Sequence, residues 1–394
     1  MPETPLLSLP PPIAWPRSLD ALAALVSRDL AAAPGAVVAT CVCRGDGSYR
    51  IALGAAGRLA VNGPPVQPET LFDLASVTKP FLALTAARIH RRTPLLHRPL
   101  GELLAEARGT PSEGVPLELF LAHRAGLDSH RPLYAPLLRG EPLDRAAALR
   151  EAALARRPGC EGDPPGEGFP PLYSDLGYLL VGEALARWEG SSLSTLYQRE
   201  VIAFCGGALL DAQQIRAQSL VESTAPTEYV DFRGGVVRAE VHDENAWALG
   251  GQGTCGHAGL FGDAPSVVRL GVLLLEALAG RASDWLSPQD LIPLLRPRPG
   301  GTLRAGFDGK SEAGSSAGAF FSPKSFGHLG FTGTSLWIDP ERQLVAALLS
   351  NRVHPTRIAT VEAMKRARPL VHNAIARWAD DQANDQASDQ IVRS

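Results

Sequence analysis

The chain has 394 residues, a formal net charge of −3, 45% hydrophobic and 20% charged residues. This is ordinary globular composition, with length enough for a sizeable core and for more than one domain. Near-neutral charge without a basic block excludes a nucleic-acid binder, whose phosphate contacts need clustered Lys and Arg, and no run of about 18 apolar residues offers an integral membrane segment.

Residues 1–16 are Pro-rich and read as an extended arm. They lack the basic n-region and uninterrupted apolar stretch of a signal peptide. Ser18 can cap a helix running to about Ala32, with apolar positions at Leu19, Leu22, Leu25 and Val26. Ala36 to Cys43 and Tyr49 to Ala55 read as strands around the turn Gly45-Asp46-Gly47-Ser48. From roughly 75 to 280 the pattern is mostly helical, as at 144–156, 175–189 and 265–279, with Gly/Pro loops such as Pro158 to Pro171. Phe326 to Gly330, Ser335 to Ile338 and Leu344 to Ser350 predict a meander turning at Asp339-Pro340-Glu341-Arg342. A last helix is expected over about 358–378, and the polar stretch 379–394 reads as a disordered tail.

Strands at both ends with helices between predict an α/β or α+β class. Residues 17–74 and 265–378 would form a discontinuous sheet domain, and 75–264 an inserted, mostly helical one. The five cysteines, Cys41, Cys43, Cys160, Cys205 and Cys255, form no C-x-x-C pair. Free thiols in a cytoplasmic protein are the expectation.

Three short stretches carry chemistry. In Ser76-Val77-Thr78-Lys79 the serine and lysine sit three apart at a predicted helix start, so they share a face. A serine hydroxyl needs a base to take its proton, and a lysine serves as that base only when its surroundings lower its pKa. The chain uses 34 Arg and only 4 Lys, namely Lys79, Lys310, Lys324 and Lys365, and Lys79 alone has a serine three residues before it. In Tyr173-Ser174-Asp175 a phenol precedes a helix for which the aspartate is a candidate N-cap. In His328-Leu329-Gly330-Phe331 a strand end offers N–H groups to an oxyanion, and its glycine would let a substrate lie close. Taken singly, each stretch has an ordinary reading: a capping serine with a solvated lysine, a core tyrosine beside a cap, and a Gly-rich hairpin with a surface histidine.

In this order the three stretches resemble the Ser-x-x-Lys, Tyr-x-Asn and Lys/His-x-Gly motifs of the penicillin-recognising serine hydrolases. The branch most similar is the class C β-lactamase-related group, which includes D-alanyl-D-alanine peptidases and carboxylesterases. The resemblance covers about residues 20–378, with support from Leu119 to Leu127, Val241 to Ala246 and Gly256 to Phe261. It implies an antiparallel sheet flanked by helices, with the active site against an inserted helical region. It also implies Ser76 as acylated nucleophile, Lys79 as its base, Tyr173 as proton relay, and the N–H groups of Ser76 and Phe331 as oxyanion hole. Asp175, His328 and Gly330 would bind or orient substrate.

Three departures bear on the substrate. Asp175 stands for the usual Asn, His328 for Lys, and Leu329 for Thr or Ser. Each weakens the grip on a substrate carboxylate. The expectation is therefore an esterase-like hydrolase of a small ester or amide. A β-lactamase or D-alanyl-D-alanine carboxypeptidase, an acyltransferase and a non-catalytic binding protein stay open. No cofactor is implied. His242, Asp243, Glu244 and His257 match no standard zinc spacing, and Asp73 reads as a cap or turn former. Substrate choice and oligomeric state are not legible. Loops 128–142, 158–171 and 224–250 would shape the cleft.

Overall fold

Residues 18–43, 49–251 and 253–393 are described by the computed structural model, without the side chains of Cys43 and 382–393. The expected arm at 1–16 and the turn at 45–48 lie outside the described residues.

An antiparallel six-stranded sheet is built from both ends of the chain. Its order across the sheet is Tyr49–Gly57, Gly35–Cys43, Leu344–Ser350, Ser335–Asp339, Phe326–Leu329 and Asp308–Gly309. The strands Leu344–Ser350 and Ser335–Asp339 are buried along their whole length. They read as continuous apolar runs because both faces are covered.

The two-residue alternation of a strand sorts these side chains cleanly. Val37, Ala39, Val345, Ala347, Leu349, Leu336 and Ile338 join the large core shared with the helical region. Ala36, Val38, Leu344, Ala346, Leu348 and Trp337 join a second core on the opposite face. Terminal helices close that second core. The first is Leu19–Ala24, capped by the Ser18 side chain and continued as a π-helical turn at Leu25–Asp29. The other is Val361–Arg393. Its backbone stays helical through the polar stretch expected as a disordered tail. Polarity there argues against core burial, but Ala and Gln still tolerate a helical backbone.

On the first face the helix Ala264–Leu278 crosses the sheet at close range. A Cβ at Gly271 would fall 2.4 Å from Val345 Cγ1, so only glycine permits that approach. Cys160, Cys205 and Cys255 are free thiols, the first and last of them buried. No described helix is long and apolar enough to cross a membrane.

A small three-stranded sheet positions the site. Phe72–Asp73 pairs with Phe261–Gly262, which pairs in turn with Leu209–Leu210. Two-residue strands of this kind give no periodic signal in sequence.

Candidate active site

The chain leaves the Phe72–Asp73 strand through a sharp turn. Ala75 takes a left-handed φ of 47°, a conformation that costs energy for a residue with a Cβ. Two bonds hold it. Asp73 Oδ1 accepts the Ala75 N–H at 2.7 Å, and Asp73 Oδ2 accepts the His242 N–H at 2.8 Å. The turn-former reading of Asp73 describes this role. Burial raises its pKa, and the bonds from His242 and Ala75 oppose the rise. A 3-10 turn at Ala75–Val77 then feeds the helix Thr78–Arg92, so Ser76 and Lys79 meet across one turn.

Lys79 is fully buried. Its Nζ donates to Ser76 Oγ at 2.9 Å and to Asp175 Oδ1 at 2.6 Å, with the His257 carbonyl at 3.4 Å. The rings of Tyr173 and Tyr178 lie 4.7 and 5.3 Å from the ammonium. Burial pulls the lysine pKa down, but Asp175 and Tyr173 outweigh burial and hold it above the ordinary 10.5. This differs from the sequence expectation of a lowered lysine, and the reason is the carboxylate that replaces the usual amide. Asp175 is the first residue of the helix Asp175–Glu189, and Ser174 takes the N-cap position. The aspartate is therefore not the cap; it lines the cleft and is the counter-ion of Lys79.

Tyr173 stacks on His123, with ring centroids 4.6 Å apart. His123 is itself fixed, its Nδ1 accepting the Ser174 N–H at 3.0 Å. Burial pushes the Tyr173 phenol above its ordinary value, against the pull of Lys79 and Ser76. The stretch Leu119 to Leu127 thus braces the tyrosine from behind.

His328 is buried beneath Tyr173, with centroids 6.0 Å apart. Its Nδ1 donates to the Leu329 carbonyl at 2.8 Å. Burial and the Lys79 charge depress its pKa to about 3, so the ring is neutral. The cleft wall is formed by the next residues, Leu329 and Gly330, rather than by His328 as expected for a substrate-orienting group. The alternation of the strand turns the imidazole inward.

Gly330 is small for a reason the sequence reading missed. A Cβ there would fall 1.9 Å from Thr334 Oγ1 and 2.5 Å from the Leu74 carbonyl. Thr332 and Thr334 donate to the Asp73 and Leu74 carbonyls at 2.6 and 3.0 Å, locking strand to nucleophile turn. Gly330→Ala should destabilise the fold by about 1–3 kcal/mol through overpacking. A lowered urea midpoint would register it, and an unchanged midpoint would contradict the tight fit.

These residues floor a cleft of ≈ 420 Å³. Ser76 and Phe331 line it together, and among the described residues neither backbone N–H has a protein acceptor. The other wall comes from a stretch whose side chains are paired off. His242 meets Glu228 at 3.1 Å, His257 meets Asp243 at 2.8 Å, and Arg357 holds Glu244 at 2.5 Å as well as Glu228. No group of three metal-ligating side chains occurs among the described residues. Arg368, from the C-terminal helix, donates to the Gly330 and Thr334 carbonyls at 2.6 and 3.0 Å and has no carboxylate partner among the described residues. Burial lowers its pKa to about 10. Arg357, Arg368 and Tyr134 were not singled out from sequence. They reach the cleft from distant segments, and no local pattern marks them.

The Beta-lactamase family model matches residues 22–369. Curated relatives from Salmonella gallinarum and Escherichia coli, both named "Putative D-alanyl-D-alanine carboxypeptidase", are 27% identical. The match covers 46% of this chain and 45% of each relative, so the chain spans less than half the length of these relatives. Among solved structures, EstCE1, a hydrolase with promiscuous acyltransferase activity, aligns at a TM-score of 0.67 and 20% identity over 91% of this chain and 97% of its own. A mutant simvastatin synthase from Aspergillus terreus aligns at 0.64 and 18%, over 92% and 97%. A penicillin-binding protein homologue from Caulobacter crescentus aligns at 0.63 and 19%, over 91% and 98%. At these identities the structures speak for the fold.

Proposed function

The chain belongs to the β-lactamase family of serine hydrolases, and from that premise we propose that it hydrolyses a small ester through an acyl-Ser76 intermediate. The observation that carries this reading is the Ser76–Lys79–Asp175 chain of contacts, 2.9 and 2.6 Å long, on the cleft floor.

At rest the lysine is an ammonium ion and cannot accept a proton. The reactive form is therefore the amine, which Lys79 reaches by losing a proton to solvent against the hold of Asp175. Ser76 Oγ then attacks the ester carbonyl as its proton passes to Lys79. The N–H groups of Ser76 and Phe331 stabilise the oxyanion. The leaving alkoxide takes the proton back from Lys79, with Tyr173 as relay. Water repeats the sequence on the acyl-enzyme: its proton goes to Lys79 and returns to Ser76 Oγ as the acid departs.

A neutral substrate is supported by Leu329 at the cleft wall, where the related motif carries a hydroxyl, and by the neutral His328 beneath Tyr173. The second reading is a D-alanyl-D-alanine carboxypeptidase, favoured by Arg368, whose guanidinium suits a terminal carboxylate. A panel of p-nitrophenyl acetate and butyrate, a chromogenic cephalosporin and a D-alanyl-D-alanine peptide separates them. Ester turnover well above the other two, and abolished in Ser76→Ala, is expected. Cephalosporin or peptide turnover equal to the ester rate would overturn the ester preference.

A further inference from the structure

The cleft opens onto a held apolar ledge. Its centre is a short hairpin, Tyr229–Val230 paired with Gly235–Val236 around a 3-10 turn at Asp231–Arg233. Tyr229 and Val236 are cross-strand partners and are 56% and 51% exposed. At the tip, Phe232 is 44% exposed. Single exposed apolar residues are ordinary, but three on one short hairpin beside a cleft point to a ligand.

The ledge is continuous with the catalytic cleft. Phe232 lies parallel to Tyr134, with centroids 6.0 Å apart and planes at 7°. Tyr134 lines the cleft that holds Ser76. Phe232 also meets Trp247 at 6.0 Å, and Trp247 lines a recess of ≈ 290 Å³ with Leu137 and Ala212, at whose edge Arg216 and Glu240 pair with each other. An aromatic track therefore leads from the nucleophile to the recess.

The surrounding bonds keep this surface in place. Arg233 lies 4.7 Å over the Trp247 ring and donates to the Val241 carbonyl at 2.8 Å and to Glu240 at 3.1 Å. The Tyr229 N–H donates to the Pro355 carbonyl at 2.9 Å, and the Arg357 N–H to Glu228 at 3.0 Å. A hairpin tied at its base and at its tip keeps its apolar side chains outward. Such a preformed surface binds without the entropic cost of ordering it.

Resting on the ester-hydrolase reading, we propose that the Tyr134–Phe232–Trp247 track is a subsite for the apolar arm of the substrate, an aryl or medium-chain aliphatic group. The occupant is one substrate molecule, because the track is joined to the Ser76 cleft and ends in a recess of small-molecule size.

The test compares p-nitrophenyl acetate, butyrate and octanoate, which vary the acyl side, with 1-naphthyl acetate, which varies the alcohol side. Burial of one apolar arm on aromatic rings is worth about 1.5 kcal/mol, which is about tenfold. Wild type should favour octanoate or the naphthyl ester over p-nitrophenyl acetate by about tenfold in kcat/KM, chiefly through KM. Phe232→Ala should remove that preference, and Phe232→Leu should keep most of it. Whichever series responds tells which side of the ester the track holds. A second readout is independent of turnover: 1-naphthyl acetate binding to Ser76→Ala, followed by tryptophan fluorescence, should weaken about tenfold when Phe232→Ala is added. Loss of all ester turnover with naphthyl binding retained would sink the hydrolase reading and leave the subsite standing. A flat series in wild type, an equal loss on every ester in Phe232→Ala, or a preference seen only above the micelle concentration of the ester would overturn the subsite.

Discussion

Lys79→Arg should leave a folded protein whose kcat/KM for its ester is lower by about 10²–10⁴-fold, the range removed with a general base. The substitution keeps the positive charge opposite Asp175, which lies 2.6 Å from the lysine nitrogen. It removes the ability to give up a proton, since a guanidinium stays protonated in proteins. The site is fully buried between Tyr173 and Tyr178, so the larger planar group should also cost about 1–3 kcal/mol by overpacking. Circular dichroism and a thermal melt check the fold, and kinetics on p-nitrophenyl butyrate check the role. A rate within about tenfold of wild type would show that the lysine is not the base. The other lysines offer a contrast: Lys324 and Lys365 make surface ion pairs with Glu341 and Glu362, and arginine should serve there as well.

Asp175→Asn should move the pH profile of kcat/KM to lower pH and destabilise the protein near neutrality. In wild type Asp175 and Tyr173 hold the lysine above its ordinary value against burial. Activity that requires the amine should therefore climb into the alkaline range. Removing the carboxylate leaves burial with less opposition, so the amine forms at lower pH and the climb begins earlier. The stability sign follows from linkage. A lysine raised above its unfolded value contributes stability that is present below about pH 10.5 and lost as pH rises through the raised value. In the variant the buried ammonium lacks its partner, and the loss is on the order of 3 kcal/mol near pH 7, shrinking as pH approaches the unfolded lysine value. Denaturant titrations at pH 7 and pH 10 test this. An unmoved pH profile would mean that Asp175 does not govern the lysine proton.

What was legible in the sequence was local or periodic. Ser76 and Lys79 lie on one helical turn, so spacing made their contact one of two readings, and the three motifs together chose it. The meander strands and the Ser18 cap followed from alternation and capping chemistry, and their ends shifted by about a residue, which is ordinary for such boundaries. The less legible part depends on chain segments far apart in sequence. Asp175 looked like a helix cap because sequence cannot show that a buried ammonium waits 96 positions away. His328 was read as a substrate ligand, and sequence could not show how deeply the ring is buried against Tyr173. Asp73 was read as a turn former, yet its second oxygen holds His242, 169 positions on. Gly330 was read as room for substrate, and sequence could not show that it also makes room for Thr334 and the Leu74 carbonyl. The hairpin at Tyr229–Val236 gave no sequence signal because strands of two residues carry no period.

The central claim is that Ser76 carries the acyl group. Its most direct test is mass spectrometry of the protein quenched during turnover of p-nitrophenyl butyrate. A single butyryl adduct is expected on the peptide containing Ser76, and neither adduct nor turnover in Ser76→Ala. An adduct on another residue, or full hydrolysis by Ser76→Ala, would contradict it.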